Sequence, residues 1–324
     1  VLSAIGAKTS GAVTVTNAIV VTGTVAEVTA ALVTASTKVV AASATSTISD
    51  ATSVAEANAI DAVTTGAITA TLDAGTIASF SGVTGTGNIY TITVSDVATV
   101  TQANTLDAKT TGVITATLTT GALSTFSGLT GTANVYTIIV NDDAGDAIAA
   151  TGLSALGAKT DGVVTVSNAI ALSGTNTQLT AALVTAGTLV VAGTAVVTMS
   201  DAASTSIAAT VLSAIGAKTS GIVTVTNAIV VTGTAAQVTA ALVTTASLVV
   251  AATATGTISD ADDVSIAATV LSAIGGKTSG AITVTNAIVV TGTTAALTAA
   301  LVTADTLVVV SDAKATISDA ADVS

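Results

Sequence analysis

Apolar and polar positions along this chain fall into short blocks whose period changes every few residues. Val223, Thr224, Val225 and Thr226 alternate as a half-buried strand does, and Ile229, Val230 and Val231 add a short apolar run. Upstream, Ile207, Val211, Leu212 and Ile215 recur at i, i+4, i+5 and i+8, which predicts a helix over 206–218 ended by Gly216 or Gly221. Residues 235–243 predict a second short helix with Thr234 as its N-cap, and residues 248–251 and 257–259 predict strands closing on Asp260. The same order returns as helix near 101–109, strand over 113–118, helix near 122–127 and strand over 135–140. Strands and helices alternating over short connections predict parallel strands joined by right-handed crossovers.

The blocks repeat in strict phase. Asp50, Asp96, Asp142, Asp201, Asp260 and Asp319 are separated by 46, 46, 59, 59 and 59 residues, and Gly11, Gly66, Gly112, Gly162, Gly221 and Gly280 keep step with them. Long repeats cover about 1–50, 143–201, 202–260 and 261–319, short ones about 51–96 and 97–142, with 320–324 opening a further repeat. Repetition of one supersecondary unit predicts a single continuous repeat solenoid. The expected form is an α/β solenoid of parallel β-sheets and short helices, with one 46- or 59-residue repeat per coil; an all-β parallel β-helix is the alternative. Residues 1–6 match 270–275 and residues 322–324 match 263–265, so the sequence reads as a slice of a longer polypeptide or a subunit continuing its stack into the next copy.

Composition narrows the chemistry. Half of the 324 residues are hydrophobic, yet the only aromatic side chains are Phe80, Tyr90, Phe126 and Tyr136, so the core is built from many small β-branched contacts. With no Cys or His, thiolate, imidazole and disulfide chemistry are absent. Seven Lys against 19 acidic residues give a net charge of −12, which repels nucleic acid and leaves cations as counter-partners. Mean hydropathy is +0.87, but the apolar runs are broken by Thr, Gly and Asn. A spanning helix needs about 20 mostly apolar residues, and the aromatic girdles of a lipid-facing barrel are missing. The chain is therefore expected not to span a membrane.

The recurrent Asp stands where a strand gives way to a helix. One reading is a helix N-cap. The other is a Ca²⁺ ladder: stacked coils bring like charges to about 5 Å, and further acids cluster nearby, giving Asp50, Asp96, Asp142, Asp143, Asp146, Asp201, Asp260, Asp262, Asp263, Asp319 and Asp322 as candidate ligands. A Lys precedes the Gly at Lys8, Lys109, Lys159, Lys218 and Lys277, with Val63 the exception, and reads as a cation at a helix C-terminus. Asn17, Asn168, Asn227 and Asn286 share one phase and predict an Asn ladder. Phe80 with Phe126, and Tyr90 with Tyr136, recur at 46 residues as core or face stacking. Thr-x-Thr rows read as solvated strand surface or as a hydroxyl array for ice or polysaccharide. Ser or Thr nucleophiles need an adjacent base, and the acids recur alike in every unit instead of forming one pocket, so no enzyme is expected.

Residues 105–112, Thr-Leu-Asp-Ala-Lys-Thr-Thr-Gly, together with 130–137 and 231–238, resemble the Ala/Thr/Val-rich tandem modules of giant secreted bacterial, notably cyanobacterial, surface and adhesin proteins. The resemblance covers essentially the whole chain. It implies export, extended rods and a surface or matrix role, and supplies no active-site residues. The expected function is a structural subunit of an extracellular filament, sheath or surface layer that assembles with itself end to end; the alternatives are an adhesin stalk or a Thr-array binder of ice or cell-surface polysaccharide.

Overall fold

The computed structural model describes residues 1–303 and 307–319. The protein is α/β, with several parallel β-sheets and short helices. It divides into two compact units: Val1–Val140 with Ala158–Val164, and Asn141–Gly157 with Thr165–Ser324.

In the first unit, strands Val20–Gly23, Thr45–Thr52, Ile68–Leu72, Ile89–Ala98, Ile114–Leu118 and Val135–Val140 follow one another in one parallel sheet. Alternation decides which face is buried. In Ile114–Leu118 the residues Ile114, Ala116 and Leu118 are buried while Thr115 and Thr117 are exposed, as strand pleating requires. Tyr90, Tyr136, Phe80 and Phe126 are all buried, so the recurrent aromatics are core. Helices Val25–Leu32, Val54–Asp61 and Val100–Asp107 each begin with a reciprocal capping box, Thr24 with Glu27, Ser53 with Glu56 and Thr99 with Gln102. The helix expected near 122–127 is a single 3₁₀ turn, Leu123–Phe126.

The second unit holds three parallel sheets among its described residues. The first contains Ala147–Ala149, Ala171–Gly174, Val196–Met199, Val223–Val225 and Val249–Val250. The second contains Ser206–Ala208, Val230–Gly233, Thr255–Ile258, Ile282–Val284 and Val308–Val310, and the third Ser265–Ala267, Val289–Gly292 and Lys314–Ile317. The helix expected over 206–218 is split. Ser206–Ala208 pairs beside Val230–Thr232 as strand, and the helix runs only over Ala209–Gly216. Ladder hydrogen bonds to a neighbouring strand outweigh the helical preference of those three residues. The second helix of the unit begins as expected, with Thr234 accepting a hydrogen bond from the Gln237 N–H.

Register corrects the expected coil of 46 or 59 residues. Laterally paired residues are 20 apart at Thr69 and Ile89, 25 at Val20 and Thr45, and 26 at Val223 and Val249. Each repeat therefore contains two strand-to-strand steps with dissimilar sequences. A buried face fixes which strand can lie beside which, because slipping by one residue would turn every side chain over.

Candidate functional site: recurrent polar residues and the two terminal edges

The Asp that marks each repeat caps a helix, but the helix lies earlier in the chain than expected. Asp50 accepts from the Val25 N–H at 2.7 Å, Asp201 from Asn176 at 2.7 Å, Asp260 from Ala235 at 2.6 Å and Asp319 from Thr294 at 2.5 Å. Each donor is the first residue of its helix, 25 positions before the Asp. Asp96 accepts likewise from Ile77 N–H at 2.7 Å. The carboxylate thus takes an N–H that the local Thr cap, bonded to the third helical residue, leaves free, and adds a negative charge at the positive end of the helix. The Thr294 hydroxyl and N–H together hold the Asp319 carboxyl below its ordinary range.

These aspartates do not form the expected column of adjacent charges, because sheet neighbours are one step apart and repeat equivalents are not. Asp143 and Asp146 close a local turn, with the Asp143 N–H donating to Asp146 at 3.0 Å. Asp142 receives the Asn168 amide on its main-chain carbonyl. Asp262 accepts from Ala287 N–H at 2.9 Å, and Asp263 pairs with Lys314 at 2.7 Å on the open surface, where such pairs contribute little. Among the described residues no three acidic side chains converge on a point that could hold a metal ion. Asp322 lies outside the described residues, as do the residues expected to open a further repeat.

The Asn phase is likewise not a ladder of amides. Asn168, Asn227 and Asn286 donate to the main-chain carbonyls of Asp142, Asp201 and Asp260 at 2.8, 2.6 and 2.6 Å. One Asp therefore fastens a helix start with its side chain while its carbonyl is fastened by an Asn from the following step.

Close main-chain contact explains the recurrent Gly. A Cβ on Gly66, Gly112, Gly162, Gly221 or Gly280 would overlap a carbonyl oxygen of Ala44, Tyr90, Tyr136, Ala195 or Ala254 respectively. The Thr two residues earlier locks the same contact. Thr110 accepts from the Tyr90 N–H at 2.7 Å and from Gly112 N–H at 2.9 Å, and lies 3.0 and 3.1 Å from the carbonyls of Tyr90 and Asn88. Thr160 does the same at Tyr136, while Thr219 donates to the Ala195 carbonyl at 2.5 Å and accepts from Gly221. Sequence reasoning noticed the glycines and missed the threonines, whose signal was a fixed Thr-x-Gly spacing hidden in a Thr-rich chain.

The short repeats hold a second set that sequence reasoning missed. Buried Asn88 accepts from the Ile68 N–H and donates to Asp61 at 2.8 Å, and Asn134 repeats this with Ile114 and Asp107. The hydroxyls of Tyr90 and Tyr136 are buried with no hydrogen-bond partner among the described residues. Burial, assisted by the nearby Asp61 and Asp107 charges, pushes both phenols up out of the ordinary range. A mostly apolar hollow of about 220 Å³ beside Phe80 and Leu106 holds one ionisable side chain, Lys109. It assembles no acid–base pair.

Each terminal edge exposes residues whose internal equivalents are buried. At the first, Ile5 is 49% exposed where Ile215 and Ile274 are 0%, and Leu2, Val13 and Ile19 are only half-buried where Leu212, Val223 and Ile229 are fully buried. Val1, Leu2, Ile19, Val21 and Ala31 line an open hollow of about 680 Å³ there. Gly11 has no carbonyl beneath it, unlike the five other glycines of its phase. At the last described edge, Ile317 is 58% exposed where Ile258 and Met199 are 0%, and every residue of Lys314–Ile317 is exposed.

Among the described residues no helix is long and apolar enough to cross a membrane. Comparison of the chain with protein-family models, curated proteins and solved structures gives no match.

Proposed function

We propose that the chain is an α/β solenoid whose coil is one strand-to-strand step. In this reading it serves as a non-enzymatic structural segment of an extracellular filament, sheath or surface layer, extended by stacking coil on coil between copies. The observation that carries this is the burial contrast at the terminal edges. A coil of the same kind laid on the first edge would cover Leu2, Ile5, Val13 and Ile19 as Leu212, Ile215, Val223 and Ile229 are covered internally. Open parallel strands template such pairing through unpaired N–H and C=O groups, and covering each aliphatic side chain contributes about 1.5–3 kcal/mol.

Electron microscopy and light scattering of the chain with Ile5→Asp and Ile317→Asp variants test this. Rods of regular cross-section that either variant dissolves into single particles are the expected result. A native chain that stays at 30.5 kDa at all concentrations would remove end-to-end assembly and leave the stalk reading.

A second reading, binding to an ordered surface such as ice or polysaccharide, is favoured by the outer face of the first unit's sheet. There Thr22, Thr47 and Thr69 lie side by side, as do Thr71 with Thr91, Thr93 with Thr115 and Thr117 with Thr137. Retention of the chain on insoluble polysaccharide or changed ice-crystal shape would support it.

A further inference from the structure

The second unit's three sheets are displaced copies of one plan. Their first strands begin at Ala147, Ser206 and Ser265, each 59 residues after the last. Within the first sheet the steps are 24, 25, 26 and 26 residues, from Ala147 to Ala171, Ala171 to Val196, Val197 to Val223 and Val223 to Val249. Within the second they are again 24, 25, 26 and 26, through Ser206, Val230, Thr255, Ile282 and Val308. Two steps from Ala147 reach Val196, and the 59-residue equivalent of Ala147 is Ser206, ten residues further. Those ten residues carry the chain onto the adjacent sheet.

Each step has three legs, two strands and a helix. Val223–Val225 stands in the first sheet, Val230–Gly233 in the second, and the helix beginning at Ala235 leads back to Val249–Val250 in the first. One repeat later Ile282–Val284 stands in the second sheet, Val289–Gly292 in the third, and helix Thr294–Leu301 leads back to Val308–Val310 in the second. Every leg has moved on by one place, so the helix now occupies the leg that the first sheet held before.

We propose that the long repeat is a rotating spacer: it advances two coils and one leg of three, turning whatever it carries once per repeat by a third of a revolution. Three long repeats, seven coils, restore the starting direction. Val191, Val250 and Val309, exposed to 52, 48 and 49%, are then one surface feature presented in three directions. Short repeats do not turn. Ile68–Leu72 and Ile114–Leu118, 46 residues apart, stay in one sheet, and the surplus is absorbed by register shifts such as that between Thr93 and Val97. A filament of long repeats would contact neighbours on three sides, and one of short repeats on one.

The proposal rests on the coiled reading above, and spin-label distances separate the two. The chain has no Cys, so paired Thr→Cys or Val→Cys variants label cleanly. Thr198 and Val250 both flank Thr224 in the first sheet, so T198C/V250C should place labels about 10 Å apart, two strand spacings. T224C/T283C joins 59-residue equivalents in the first and second sheets and should read beyond about 15 Å, since faces of different sheets are further apart than two strands. A short distance in both pairs overturns the rotation and leaves the coil. A long distance in the first pair overturns the coil itself.

Discussion

The short repeats of the first unit and the long repeats of the second answer the same problem differently. Both place a strand, a helix and a strand in about one step, and both press a Gly against the carbonyl of the preceding step, Gly112 on Tyr90 and Gly221 on Ala195. The first region keeps all six of its successive strands in one sheet, while the second passes from sheet to sheet. The contrast separates what makes a step from what sets its direction. Close main-chain contact makes the step; surplus length sets direction, according to whether it slides within a strand or crosses a corner.

The largest effects should fall on what the two regions share. Gly112→Ala and Gly221→Ala force a Cβ into a carbonyl oxygen, and each should cost about 3 kcal/mol or prevent folding, read as a fall in melting temperature. Gly11→Ala, in the same phase with open space beneath, should change the single chain by less than about 0.5 kcal/mol. Equal losses at 112 and 221 keep the step common to both regions; a large loss at 11 would break the comparison.

A smaller effect should distinguish the regions. Thr110→Val removes acceptors for both the Tyr90 and Gly112 N–H groups, whereas Thr219→Val removes one for Gly221 and leaves the Ala195 carbonyl without its hydroxyl donor. With each buried unpaired N–H worth about 1–3 kcal/mol, chemical denaturation should show Thr110→Val losing about 3 kcal/mol and Thr219→Val roughly half of that.

The smallest effect concerns acid. The Thr24 N–H and hydroxyl hold Glu27 below the ordinary carboxyl value of 4.5, and the Ser53 hydroxyl and N–H do so for Glu56. Because these carboxyls are lowered in the folded chain, their contribution is complete above that ordinary value and fades as pH falls through the lowered one. Gln102, Gln178 and Gln237 occupy the same position and do not titrate. Hydrogen exchange between pH 6 and pH 3, about the range carboxyls cover, should therefore quicken in Val25–Leu32 and Val54–Asp61 before Val100–Asp107.

The sequence revealed the elements more readily than their neighbours. Strand Val135–Val140 and the Thr234 cap were legible because alternation and capping are local. The step was not. Self-similarity finds the 59-residue period, but the two steps inside it carry unlike helices, Ala-Thr-Val-Leu-Ser-Ala-Ile-Gly over Ala209–Gly216 and Thr-Ala-Ala-Leu-Val over Thr239–Val243. Strands that lie side by side therefore share almost no letters. The Asp was legible as a cap, while its partner was hidden because Ala235 precedes it by 25 residues and lies in another step. Tertiary contacts of that kind leave no local trace.

The glycine bearing on a carbonyl has a consequence for how such a chain can evolve. Spacing there is gauged by backbone against backbone, not by the bulk of interior side chains. Val, Ile, Leu and Ala can then exchange inside without altering the pitch, much as shelves keep their height when the books are changed. A molecule so built works as a ruler whose graduations outlast the drift of nearly everything written between them.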